Sequence, residues 1–225
     1  MALLLAIETT TKNCSIALFE NSNLLHLKEQ NSAEYSHAEK LTLFIEEVIQ
    51  KANITLKEIN AIVLSKGPGS YTGLRIGTST AKGLCYSLDI PLVSISTLKT
   101  MAFGMSKKED YKLYCPMIDA RRMEVFASIY DQSNNQVREI KADIVDQHTY
   151  AEFLQDKVLF FGDGALKCKV IINNPNAHFI DGVFPSAKDM GVLAFESFSN
   201  KDFEDVAYFE PYYLKDFVAG VKKKL

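Results

Sequence analysis

Lys66-Gly67-Pro68-Gly69-Ser70-Tyr71-Thr72-Gly73-Leu74-Arg75-Ile76-Gly77 is the stretch whose reading decides the fold. Before it, Ala61 to Leu64 is a short apolar run that predicts a buried strand. The Gly-Pro-Gly turn then reverses the chain, and a helix is predicted from near Ser70 or Thr72 to about Leu88. Pro91 precedes a further strand, Leu92 to Ile95. The first amides of the helix lack intrahelical partners and suit an anion. The loop nevertheless fails both phosphate-loop patterns. No lysine follows its glycines as a P-loop needs, and Gly67, Gly69 and Gly73 are spaced G-x-G-x-x-x-G rather than as the dinucleotide fingerprint.

Upstream, Ala2 to Ile7 is a continuous apolar run expected to be a strand buried on both faces. Ser15 to Phe19 and Leu24 to Leu27 flank the turn-rich Glu20-Asn21-Ser22-Asn23 and read as a hairpin. Ser36 and Glu39 have capping-box spacing, and Leu41, Phe44, Ile45, Val48, Ile49 and Ala52 continue as one apolar helical stripe. The order is three strands, helix, strand, helix, strand: an α/β unit of the ribonuclease-H-like kind. Downstream a weaker copy is expected. Leu113–Ile118, Val125–Tyr130, Val137–Val145 and Val158–Phe161 read as strands, with a turn over Gln132–Gln136. Thr149–Leu154 reads as a short helix and Ser186–Phe198 as a longer one. Charge replaces apolar periodicity over Ser106–Lys112, which sets the expected boundary between a lobe of residues 1–106 and a reduced lobe of residues 107–225. The last helix and tail are expected to pack back on the first lobe.

The 225 residues are 47% hydrophobic and 24% charged, as expected of a globular protein with a substantial core. A net charge of −3 gives little support to nucleic-acid binding by this chain alone. Cys14, Cys85, Cys115 and Cys168 are far apart and show no zinc or disulfide spacing, so each reads as a small buried hydrophobe in a reducing compartment. The N-terminus has no basic n-region, and no apolar run approaches a membrane span. The expectation is a soluble, cytoplasmic protein without a membrane partner.

Gly73, Gly77 and Ala81 recur every four residues on the second helix, with Gly83 one residue out of step. An interior glycine costs a helix roughly 0.5–1 kcal/mol relative to alanine, so something must offset two of them. Close packing on the chain's own sheet and close approach of another subunit's helix both remain open at this level.

The glycine segment, read with Ile7-Glu8-Thr9-Thr10, Ser36-His37-Ala38-Glu39-Lys40-Leu41 and Ile118-Asp119-Ala120-Arg121-Arg122-Met123-Glu124-Val125, resembles the TsaB (YeaZ-like) family. Gly162-Asp163-Gly164-Ala165 and Glu210-Pro211-Tyr212-Tyr213-Leu214 resemble its later landmarks, in order along nearly the whole chain. The resemblance implies two ribonuclease-H-like lobes of the actin, Hsp70 and sugar-kinase superfamily, the first serving dimerisation. It implies a non-catalytic scaffold subunit of the complex that transfers threonylcarbamoyl to N6 of adenosine 37 in tRNAs reading codons that start with A. The implied partners are a TsaD-type catalytic subunit, a TsaE-type ATPase, and a second copy when the chain is alone, with tRNA met only through the complex. No cofactor is expected on the isolated chain, and ATP or ADP is placed, if anywhere, at the subunit junction. The interface expected is His37 and Leu43 on the first helix, with Gly69, Tyr71, Thr72, Gly73, Arg75, Ile76, Gly77, Thr80 and Ala81 on the loop and second helix. Gly77→Leu or Ala81→Arg is then expected to weaken pairing. The competing reading is an ATP-dependent small-molecule kinase or ATPase of the same superfamily.

That competitor would use the first strand's end, where Glu8, Thr9, Thr10 and Thr11 offer a carboxylate beside hydroxyls and Lys12 adds charge. The same residues also suit a strand-end turn that satisfies its own backbone. The resembling transferase carries two histidines four apart on its first helix, which reach one metal from one face. Here Leu41 follows His37 at that spacing, and His26, His148 and His178 are scattered, so no metal site is assigned. Asp119, Arg121, Arg122 and Glu124 suit either anion recognition or a structural ion-pair cluster. Gly162 and Gly164 sit where the superfamily binds adenosine, and also suit a tight strand-to-helix turn. Lys222-Lys223-Lys224 reads as a solvated tail. No catalytic residue is assigned.

Overall fold

The computed structural model describes residues 1–32 and 37–215. The first sheet is built from β1 (Leu3–Glu8), β2 (Asn13–Glu20), β3 (Asn23–Asn31), β4 (Ala61–Ser65) and β5 (Leu92–Ile95), in the order β3-β2-β1-β4-β5. β1 to β3 form an antiparallel meander, and β4 and β5 add parallel to β1. The second sheet repeats this with β6 (Leu113–Asp119), β7 (Glu124–Asp131), β8 (Gln136–Ile144), β9 (Val158–Phe161) and β10 (Ala177–Ile180), in the order β8-β7-β6-β9-β10. The pairing senses match strand for strand. These are two ribonuclease-H-like lobes.

The continuous apolar run of β1 follows from burial on both faces. Leu5 and Ile7 meet α1 (His37–Lys51) and α2 (Tyr71–Leu88), alongside Phe44, Val48, Leu64 and Ala81. Leu4 and Ala6 point the other way, against Met190 and Ala194. Met190 caps and Ala194 belongs to α5 (Gly191–Ser199), which follows the second sheet in the chain yet covers the first. Reciprocally, α3 (Thr97–Ser106) follows the first sheet and buries Leu98, Met101 and Met105 against Tyr114, Ile118 and Phe126 of the second. The helices are thus exchanged between lobes. Their junction is tight: a Cβ on Gly104 would lie 2.6 Å from the Asp189 carboxyl carbon, and one on Gly191 would lie 2.4 Å from the Phe19 ring.

The second lobe is reduced on its outer face. The first lobe carries the 15-residue α1 and 18-residue α2 there. The second has α4 (Ala165–Lys169) and, over residues 146–155, successive turns. The helix expected over Thr149–Leu154 is therefore corrected. Its amides close three residues back, as in Ala151 N to His148 O and Phe153 N to Tyr150 O, so no α-helical ladder develops. Tyr150 and Leu154 still fill the core. The helix expected from Ser186 is broken at Met190 into a 3₁₀ turn, Ala187–Asp189, and α5. α3, α4 and β10 had no counterpart in the sequence reading. The Ser36 cap and the Lys222–Lys224 tail lie outside the described residues. No described helix is long and apolar enough to cross a membrane.

Candidate functional site: the interlobe cleft and the outer helices

β1 and β6 occupy equivalent places in their sheets, and both end at a cleft of about 990 Å³ between the lobes. Thr10, Thr11 and Lys12 line one side, with Gly69 to Thr72 at the start of α2. Ile118 to Arg121 and Asp163 line the other, and Tyr213 to Lys215 cross beside them. The groups of the threonine turn are largely spent inside the protein. The Thr10 amide and hydroxyl both donate to Glu8 Oε1, at 2.6 and 2.5 Å. The Thr9 hydroxyl donates to Gly73 O at 2.8 Å, and His37 Nε2 lies 2.7 Å from Thr11 O. Glu8 is fully buried, and no hydrogen bond reaches its Oε2. Burial raises its pKa, against smaller lowering effects of Ser65 and Thr10. The Ser65 hydroxyl also lies 2.7 Å from Thr97 Oγ1, where either oxygen can donate. A carboxylate enclosed this way does not face the cleft as a phosphate-metal site requires.

The glycines of α2 explain why the turn is held. A Cβ on Gly69 would lie 2.4 Å from Thr10 O, one on Gly73 2.0 Å from Thr9 O, and one on Gly77 2.3 Å from Thr9 Oγ1. Ser70 N donates to Thr10 O at 2.7 Å, and the Ser70 hydroxyl caps the helix by accepting from Gly73 N. Gly73, Gly77 and Ala81 are buried. Within the chain, Gly73 and Gly77 meet Thr9 at the strand end, Gly77 also meets Leu64, and Ala81 joins the first lobe's core. Gly77→Leu and Ala81→Arg would therefore act on folding. His37 is likewise used within the chain. It is 2% exposed, desolvation lowers its pKa, and it braces Thr11 from inside.

Across the cleft, Arg121 and Arg122 adopt left-handed φ values of 71° and 46°, which make the tight β6–β7 turn. Arg121 N donates to Asp119 Oδ1. Lys167 holds the turn from beneath, bonding the Asp119 carboxylate, Arg122 O and Glu124 O. This is a structural cluster that leaves the Arg121 side chain at the cleft. Asp163 accepts from Asp119 N at 2.9 Å, and burial raises its pKa. Gly162, at φ 109°, and Gly164 are required by contact: their Cβ atoms would lie 2.2 Å from Met117 O and 2.9 Å from Val125. Neither lines the cleft, which favours the tight-turn reading of both.

The outer face of α1 and α2 offers other groups. Leu43 is 59% exposed, with Glu39, Glu46 and Gln50 exposed beside it on α1. On α2, Thr72 and Arg75 are exposed and Ile76 and Thr80 are half-buried. Tyr86, 87% exposed on the last turns of α2, was not singled out in the sequence, since an isolated tyrosine there carries no periodic signal. Tyr213, whose ring centroid lies 4.8 Å from that of Tyr71, was quoted only as part of a motif.

A family model described as TsaD: tRNA N6-adenosine threonylcarbamoyltransferase matches residues 30–221. The tRNA threonylcarbamoyladenosine biosynthesis protein TsaB of Escherichia coli K12 is 30% identical over 228 residues, covering 97% of each chain. The chain belongs to the TsaB family. A solved structure of YeaZ from Pseudomonas aeruginosa superposes with a TM-score of 0.79 at 24% identity, covering 95% of this chain and 100% of that one. The fold reaches further: an activator of 2-hydroxyisocaproyl-CoA dehydratase from Clostridium difficile, solved with bound ADPNP, matches with a TM-score of 0.50 at 11% identity. In this TsaB-family chain the first helix directs His37 inward and places Leu41 in the core. It therefore does not present a pair of histidines on one open face.

Proposed function

We propose that this chain is the non-catalytic scaffold subunit of the machinery that places threonylcarbamoyl on N6 of adenosine 37 in tRNA. Its docking surface is the outer face of α1 and α2, and its partner is a TsaD-type catalytic subunit, with a second copy of itself as the alternative occupant. The observation that carries this is Leu43, a large aliphatic side chain standing 59% exposed on α1 among Glu39, Glu46 and Gln50. Leu43 gives this face an apolar side chain that a partner helix would cover. The internal use of Glu8, Thr9 and Thr10 supports a scaffold over an ATP-dependent kinase, because those groups are committed to the strand end and α2. ATP or ADP at the junction and a TsaE-type ATPase joining the pair remain parts of the same reading.

The test is co-purification of the TsaD-type subunit with Leu43→Asp, and with Val170→Asp as a control on the second lobe, where Val170 is 81% exposed. Leu43→Asp is expected to weaken pairing by about tenfold or more, the effect of losing one anchor, and to lower modified tRNA in a deletion strain. Val170→Asp is expected to pair normally. Normal pairing by Leu43→Asp would refute the docking face.

A further inference from the structure

The segment after α5 has a route through the molecule that the scaffold reading does not use. Glu204 forms an isolated antiparallel bridge with Leu92 on the edge of the first sheet. Lys82 of α2 then donates to Ala207 O and Phe209 O, at 2.9 and 3.2 Å, and Phe209 is buried in the outer core of the first lobe. Tyr212 N donates to Lys66 O at 2.7 Å, beside the Gly67 turn. Up to this point every anchor belongs to the first lobe.

The next three residues change sides. Tyr213 packs at a 35° tilt against the ring of Tyr71, the first residue of α2, and Arg75 lies over the Tyr71 ring at 5.1 Å. Leu214 packs with the cluster of Leu98, Tyr114 and Phe126 under the second lobe. Lys215 pairs with Glu124 at the base of the β6–β7 turn. Tyr213, Leu214 and Lys215 all line the interlobe cleft.

We propose that residues 210–215 are a latch that holds the second lobe's β6–β7 turn against the first lobe and so sets how far the cleft opens. Its catch is the Tyr213–Tyr71–Arg75 group on one side and the Leu214 and Lys215 contacts on the other. An apolar contact and a partly exposed ion pair are individually weak. A restraint of that size suits a segment that is released and re-engaged, rather than a permanent weld. The proposal concerns the isolated chain and stands or falls apart from the identity of its docking partner.

Hydrogen exchange on the full chain tests it with two perturbations of opposite sign. Tyr213→Ala/Lys215→Ala loosens the latch, and a Glu124→Cys/Lys215→Cys pair joined by a flexible bismaleimide linker with an internal disulfide clamps it. In the loosened variant, exchange of the turn amides of Ala120, Arg121 and Glu124 is expected to rise about tenfold, equivalent to about 1.4 kcal/mol. Core amides of β4 and β9 are expected to stay as in the wild type. The oxidised clamp is expected to slow the same turn amides, and reduction to restore them. Turn exchange unchanged in both variants, with only residues 211–215 affected, would overturn the latch. If the loosened variant exchanges faster everywhere, the clamp decides: no slowing of the turn in its oxidised form overturns the proposal.

Discussion

Two alanine substitutions in the same helix should move stability in opposite directions. Gly83 of α2 is exposed, and a Cβ there meets nothing within 4 Å. Gly83→Ala should therefore recover the helix propensity that glycine forfeits, a gain of about 0.5–1 kcal/mol. Gly73→Ala gains the same propensity but puts a methyl 2.0 Å from Thr9 O, a backbone atom that no rotamer change can move. Relief requires α2 to withdraw from the end of β1 by more than 1 Å, roughly the difference from an ordinary contact. That withdrawal breaks the Thr9 hydroxyl bond to Gly73 O and strains the Ser70 N to Thr10 O bond. Overpacking costs about 1–3 kcal/mol, and a buried hydrogen bond left unmade about 1–3 kcal/mol. Against the propensity gain, the net loss is about 1–5 kcal/mol. Gly77→Ala should fall between, since its closest neighbour is the Thr9 side-chain oxygen. Urea unfolding of the three variants reads the order directly, provided the slopes match the wild type. Gly73→Ala as stable as the wild type, or all three shifting alike, would refute the view that the stripe serves the strand end.

Glu8→Gln should stabilise the fold at pH values above the ordinary glutamate range, because it removes a buried carboxyl whose ionisation burial disfavours while keeping an acceptor for Thr10. Burial raises the folded pKa of Glu8, so its ionised form penalises the folded state as pH rises through the interval above the unfolded value. The advantage of the variant should accordingly vanish as pH falls below the ordinary glutamate range, and a pH-independent difference would contradict the burial account. Arg138 makes a bidentate pair with Asp143 at 2.9 and 2.7 Å while Tyr150 donates to the same carboxylate at 2.9 Å. Arg138→Met should cost about 3–5 kcal/mol by stranding that carboxylate, and Arg138→Met/Asp143→Leu should recover much of it in thermal unfolding. Lys167→Met should leave the sheets intact while speeding exchange at Arg121, because Lys167 bonds three acceptors of that turn.

The strands were legible because their burial is written locally. β1, β4 and β9 are apolar on consecutive residues, since each is covered on both faces. α3 was missed for a related reason. Seven of its ten residues are buried, so it carries no polar stripe and its apolar content has no helical period to find. α5 was found, with the last helix expected on the first lobe, but the reciprocal move of α3 onto the second sheet was not legible, because it depends on which sheet the helix meets and not on its own pattern.

The site divides along the same line. Spacing of Gly73, Gly77 and Ala81 identifies a face that something must approach closely, and no periodicity says whether that something is Thr9 of the same chain or a second subunit. The answer lies in a contact between residues 9 and 73, far apart in sequence and meeting only because β1 and β4 are neighbours in the sheet. Leu43 is the converse case. Its exposure follows from position on α1 alone, opposite Phe44, Ile45 and Val48, so the helical period was enough. An exposed apolar residue is therefore legible when it violates the pattern of its own helix. A residue that obeys the pattern, as the glycines do, must be placed by the fold before its role can be assigned. The same reasoning separates the two halves of the glycine segment: Gly69, Tyr71 and Thr72 border the cleft and the strap that crosses it, while Arg75, Ile76 and Thr80 lie outside that lining as exposed or half-buried residues of α2. One helix thus presents its N-terminal end to the cleft and its outer side to solvent, with its glycine face fastened to the end of β1.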